Sequence, residues 1–92
     1  MSPTSARFRP SPDAVATRAD HEIVVVDLKT DQIYSLNRTA ARIWELFCAD
    51  YDRAEVERRM LDEFLVTPEI LRASIDEIVD SLMQKGLLEP CR

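Results

Sequence analysis

The chain has 92 residues, a formal net charge of −5, and apolar and charged fractions of 46% and 32%. That is the length and composition of one small folded domain, with little room for a deep enzyme pocket. The acidic balance argues against a phosphate-backbone binder, and the single glycine, Gly86, excludes a glycine-rich phosphate loop. Cys48 and Cys91 stand far apart, without Cys or His at metal-ligand spacing, so a reduced chain with no metal and no cofactor is expected, with Cys48 buried and Cys91 exposed.

The N-terminal stretch "MSPTSARFRPSPD" is rich in proline and serine and has no apolar signal core, so residues 1–13 read as a flexible arm and export is not expected. No run of about 18 apolar residues follows, so no membrane span is expected and the cytoplasm is the expected location. The folded domain is expected over residues 14–90. "AVATRA" predicts a first short strand, and "ADHE" a polar turn containing His21. "IVVVDL", Ile23 to Leu28, is the strongest strand signal, because β-branched residues run through it on both faces. "KTDQ" predicts a hairpin loop without glycine, and "IYSL", Ile33 to Leu36, a third strand.

At Asn37 the period changes from two to 3.6. Asn37 suits an N-cap, and Ala40, Ile43, Trp44 and Phe47 then share one helical face. Asp52 and Glu55 form a D-x-x-E start for a second helix, with Val56, Met60 and Phe64 inward and Leu61 and Leu65 beside them. Thr67 and Pro68 open a third helix, and Gly86 ends it. Leu71, Ile75, Ile78 and Leu82 form its core stripe, and Val79 and Met83 widen the apolar arc to roughly 140° on one side. The expected fold is therefore α+β: a three-stranded antiparallel sheet followed by three helices, in a winged-helix-like order.

Catalytic chemistry is missing from this pattern. His21 reads as a solvated turn residue, and carboxylates such as Asp76, Glu77 and Asp80 lie along a helix surface. A winged-helix DNA-binding regulator is the alternative of a different class. Its recognition helix would carry Arg72 and Lys85 against Glu69, Asp76, Glu77 and Asp80, a surface that repels a duplex. A third alternative is an adaptor that binds only a folded enzyme. What remains is binding through sheet and groove. An open edge at Ile33, Tyr34, Ser35 and Leu36 can accept an added strand, and Ile75, Val79 and Met83 either supply apolar pockets or simply pack in the core.

The stretch "VVVDLKTDQIYSLNRTAARIWELF" resembles the PqqD-like family, also described as RiPP recognition elements, where RiPPs are ribosomally made and post-translationally modified peptides. The resemblance rests on Leu36, Asn37, Thr39, Ala40, Ile43, Trp44, Leu46 and Phe47, and on "FLVTPEILRASIDEIVDSLMQKGLLE" as a final helix with its Gly-Leu-Leu ending. It implies a non-catalytic protein that binds the leader of a precursor peptide beside the third strand and against the last helix. Carried over by position, the groove uses Ile33 to Leu36 with Ile75, Val79 and Met83, and Arg72 and Asp76 flank it.

Within the family, "V-x-P-E" at Val66, Pro68 and Glu69 and the Asp-Leu-Lys-Thr turn look most like lasso-peptide pathways. There the partners are a leader peptidase and an ATP-dependent cyclase. A PQQ-type or other radical-SAM pathway is the alternative within the family. Many relatives carry a glycine in the turn before the third strand, and this chain has none. No nucleic-acid or membrane partner is expected, and the chain is expected to be a monomer or a weak edge-paired dimer.

Overall fold

A computed structural model describes residues 6–91. The elements follow as β1 (Phe8–Pro10), β2 (Ala14–Ala19), β3 (Glu22–Asp27), β4 (Gln32–Leu36), α1 (Arg38–Cys48), α2 (Arg53–Glu63), α3 (Pro68–Gln84) and β5 (Leu88–Pro90). The three expected strands are β2, β3 and β4. They form an antiparallel sheet in that order, with β3 central.

Period-two alternation decides which face is covered. Ile23, Val25 and Asp27 of β3 are buried, and Tyr34 and Leu36 are the cross-strand partners of Val25 and Ile23. Ile33 and Ser35 point to the other face, where Ile33 is 68% exposed. Asp27 is a charged residue on the covered face, and its carboxylate accepts the backbone N–H of Lys29 at 2.9 Å.

Aspartates take the turn positions where glycine is common. Asp20 stands in the β2–β3 turn with φ 59°, and Asp31 stands just before β4 with φ 60°. Aspartate tolerates this left-handed region because its short polar side chain bonds locally. The β3–β4 turn is closed by Asp31 N–H donating to the Asp27 carbonyl at 2.8 Å, so the missing glycine does not prevent the hairpin.

Each helix begins on the cap legible in the sequence. Asn37 Oδ1 accepts from Ala40 N at 2.9 Å, Asp52 Oδ1 from Glu55 N at 2.9 Å, and Thr67 Oγ1 from Ile70 N at 3.4 Å. α3 stops at Gly86 with φ 73°, where Gly86 N and Leu87 N donate to the carbonyls of Met83 and Leu82. That reversal turns Leu87 and Leu88 back into the core.

The core has two parts. One joins the sheet to α1 and the end of α3, through Ile23, Val25, Leu36, Trp44 and Leu82. The other lies between the helices, with Ile43, Phe47, Val56, Met60, Ile75 and Val79. Phe8 and Ile78 pack against both.

Three sequence expectations are corrected. Residues 1–5 of the expected arm lie outside the described residues, but Phe8–Pro10 is an ordered strand, antiparallel to β5. The physical reason is the Phe8 ring, which meets Phe47 edge-on at 5.1 Å and 81°. Leu61 and Leu65, expected beside the inward stripe, are exposed: Leu61 on the solvent side of α2, and Leu65 because α2 ends at Glu63 and the chain turns out. Cys48 is exposed, on the outer side of the last turn of α1.

Candidate functional site

β4 is an edge strand of the three-stranded sheet, and α3 runs beside it. Between them lies a groove of about 200 Å³. Its sheet side is Tyr34, Ser35 and Leu36, and Asn37 and Ala40 close one end. Its helix side is Ile78, Ser81, Leu82 and Lys85. An edge strand offers unpaired backbone donors and acceptors, and a groove beside it takes alternate side chains of whatever pairs there.

The expected strand lines this groove, whereas the expected flank of the helix does not. Tyr34, Ser35 and Leu36 line the groove, and Ile33 lies on the same edge but on the outer face. Ile75 is fully buried and Val79 is 6% exposed, both in the interhelical core. Met83 is exposed and borders a different, wider hollow of about 700 Å³ with Asp13, Lys29 and Thr30, whose rim Lys85 shares. At about 100° per residue, Val79 and Met83 lie on one side of the Ile75–Leu82 stripe, and Ile78, Ser81 and Lys85 on the other.

The ion pairs show why. Arg72 Nε donates to Glu57 at 3.1 Å, and Arg53 donates to Asp76 at 2.5 Å and to the Arg72 carbonyl at 3.2 Å. Glu57 and Arg53 belong to α2, so the Arg72–Asp76 flank of α3 is the flank that α2 covers. Arg72 and Asp76 therefore do not border the groove.

Lys85 was not singled out as a site residue. Its ammonium lies 5.6 Å from the centroid of the Tyr34 ring, across the groove, and donates to Ser81 Oγ at 2.6 Å. It is the one charged side chain among the described residues lining the groove. The sequence signal was its place one turn after Ser81 and two after Ile78, on a flank that looks polar.

A hollow of about 290 Å³ lies beside the β2–β3 turn, lined by Arg18, His21, Arg38, Arg42, Glu45 and Glu63 among others. Its charges are largely satisfied internally. Arg42 holds Glu63 through two bonds of 2.8 Å, and Arg18 pairs with Glu45. The bond to Arg42 holds the Glu63 carboxyl below the usual carboxylate range, and Glu63 raises Arg42 in turn. Such a closed network leaves little to recognise a ligand, so the groove on β4 is the better candidate despite its smaller volume. His21 is exposed in the β2–β3 turn. Among the described residues no group of three or more His, Cys, Asp and Glu is arranged to hold a metal ion, and no helix is long and apolar enough to cross a membrane.

A three-stranded sheet, three helices and an open edge beside the last helix define a winged-helix-like fold. The chain belongs to the PqqD family: the model for coenzyme PQQ synthesis protein D matches residues 22–88. Two solved structures are similar over nearly the whole chain. TbiB1 in complex with the TbiA(beta) leader peptide is 25% identical, with a TM-score of 0.84, over 88% of this chain and 94% of that one. A lasso peptide synthetase B1 complexed with the leader peptide is 27% identical, with a TM-score of 0.84, over 92% of this chain and 100% of that one. The comparison with curated proteins gives no match.

Proposed function

We propose that this protein binds the leader segment of a ribosomally made precursor peptide and presents it to the enzymes of a lasso-peptide pathway. The observation that carries this reading is the open edge of β4 set against the groove of Ile78, Ser81 and Lys85. The two similar solved structures, both leader-peptide complexes, support it. The leader adds as a strand to β4, so affinity comes from backbone hydrogen bonds and selectivity from the groove.

The protein itself carries out no chemistry. A leader peptidase and a cyclase act on the peptide it holds, in the cytoplasm where the precursor is made. Without peptide the same edge lets two copies pair weakly, and the leader displaces the second copy. The contacting set on this reading is Ile33, Tyr34, Ser35, Leu36, Ile78, Ser81 and Lys85.

Amide NMR during titration with synthetic lasso-precursor leader peptides tests it. Shifts should concentrate in residues 33–36 and in Ile78, Ser81 and Lys85. Binding that leaves those amides unmoved and perturbs the α2 surface instead would overturn the reading.

A further inference from the structure

We infer that Lys85 makes the groove selective for peptides that carry a carboxylate opposite Tyr34 and an apolar side chain two residues away. The inference rests on the strand-addition reading above and goes on to name the chemistry of the segment that fits.

Register fixes which peptide residues look into the groove. Tyr34 and Leu36 lie on the covered face with Val25 and Ile23, whereas Ile33 and Ser35 lie on the other. A strand added to β4 repeats this alternation, with directly opposed Cβ atoms about 5 Å apart. The peptide residue opposite Tyr34 therefore enters beside the Tyr34 ring, where the Lys85 ammonium already stands 5.6 Å from the ring centroid. The residue opposite Leu36 enters beside Ala40, Ile78 and Leu82, an apolar wall.

Charge then selects the first of these. Arg18, Arg42, Arg53, Arg58, Arg59 and Arg72 each lie within ion-pair distance of a carboxylate of the protein. Lys85 is in none of the ion pairs among the described residues, although the chain as a whole carries a net charge of −5. Its side chain is exposed, and its hydrogen bond to Ser81 Oγ directs the ammonium along the rim of the groove. An ammonium in this position has spare donors, and a carboxylate is the group that gains most from them. Arginine or lysine at the same peptide position meets a like charge and is rejected.

The test is selection from an mRNA-displayed library of random dodecapeptides, with the full-length wild-type protein, Lys85→Glu and Lys85→Met. Wild type should enrich Asp or Glu at a fixed spacing of two from an apolar residue. Lys85→Glu should enrich Lys or Arg there, and Lys85→Met should show no charge preference. The best wild-type peptide is then compared with its Glu→Gln form by calorimetry. Wild type should lose about tenfold in affinity and Lys85→Met should lose none, a comparison that stands even if Lys85→Glu fails to fold. Enriched peptides without a fixed acid, or equal loss in wild type and Lys85→Met, would overturn the inference while leaving strand addition intact. Enrichment of no peptide family by the wild type would overturn both.

Discussion

Arg53 of α2 and Asp76 of α3 meet at 2.5 Å, and that pair marks which flank of the last helix α2 closes. The Arg53 side chain is 17% exposed and that of Asp76 67%. Arg53 also lies 4.0 Å from Glu57. The two partners are thus unequal. Asp76→Ala removes an exposed carboxylate and should cost about 0.2–1 kcal/mol. Arg53→Ala also strips packing and one partner from Glu57, and should cost about 1–3 kcal/mol. Urea unfolding measures both. Neither variant should change peptide affinity more than about twofold, since the pair stands away from the groove; a tenfold loss would return that flank to the binding site.

Ile75 and Ile78 are three residues apart and should separate stability from binding. Ile75 is fully buried between the helices, so Ile75→Ala should cost about 2–5 kcal/mol. Ile78 is half-buried and reaches the groove, so Ile78→Ser should weaken peptide binding by more than its smaller loss of stability explains. Chemical denaturation with titration on the same samples gives the comparison. Equal stability losses and unchanged affinity for Ile78→Ser would place the groove elsewhere.

Asp31 holds a left-handed conformation with φ 60°. Asp31→Gly should leave the melting temperature unchanged or higher, because glycine reaches that region without steric cost. Asp31→Val should lose about 1–2 kcal/mol, because a β-branched side chain clashes there. A valine variant as stable as the parent would mean that the turn takes another shape in solution.

The Cys48 thiol is pushed up to about 11, first by desolvation and then by the Glu45 carboxylate, although the residue as a whole is exposed. At pH 8 only about one thiol in a thousand is then ionised, against roughly a quarter for an ordinary cysteine. In a Cys91→Ser background, alkylation by iodoacetamide should be slow at pH 8 and rise about tenfold per pH unit up to pH 10. Glu45→Gln should lower the apparent pKa. A reaction already at its plateau by pH 9 would show that exposure outweighs the desolvation.

Much of this architecture is legible in the residues because local signals agree with packing. The 3.6 period through Ile43, Trp44 and Phe47, the caps at Asn37, Asp52 and Thr67, and the stop at Gly86 all name elements that form. β1 was not legible. It is three residues ending on a proline, with no alternation, and it exists because Phe8 fits against Phe47 and β5 is there to pair with. The groove flank was half legible. Val79 and Met83 make the louder apolar signal, whereas the groove side is announced by Ile78 alone among Ser81 and Lys85. Only the position of α2, fixed by contacts distant in sequence, tells the two flanks apart.

The β1–β5 ribbon has a topological consequence. Phe8 pairs with Pro90, and the Cys91 N–H donates to the Arg7 carbonyl at 2.9 Å, so the two ends of the fold lie side by side. A short linker could join them, and the chain could be reopened between Asp20 and His21 in the two-residue turn of the first hairpin. Such a circular permutant would keep every strand pairing and carry its new ends at the tip of β2 and β3. Neighbours in space that are strangers in sequence make this small fold, in effect, a closed loop whose starting point is a matter of choice.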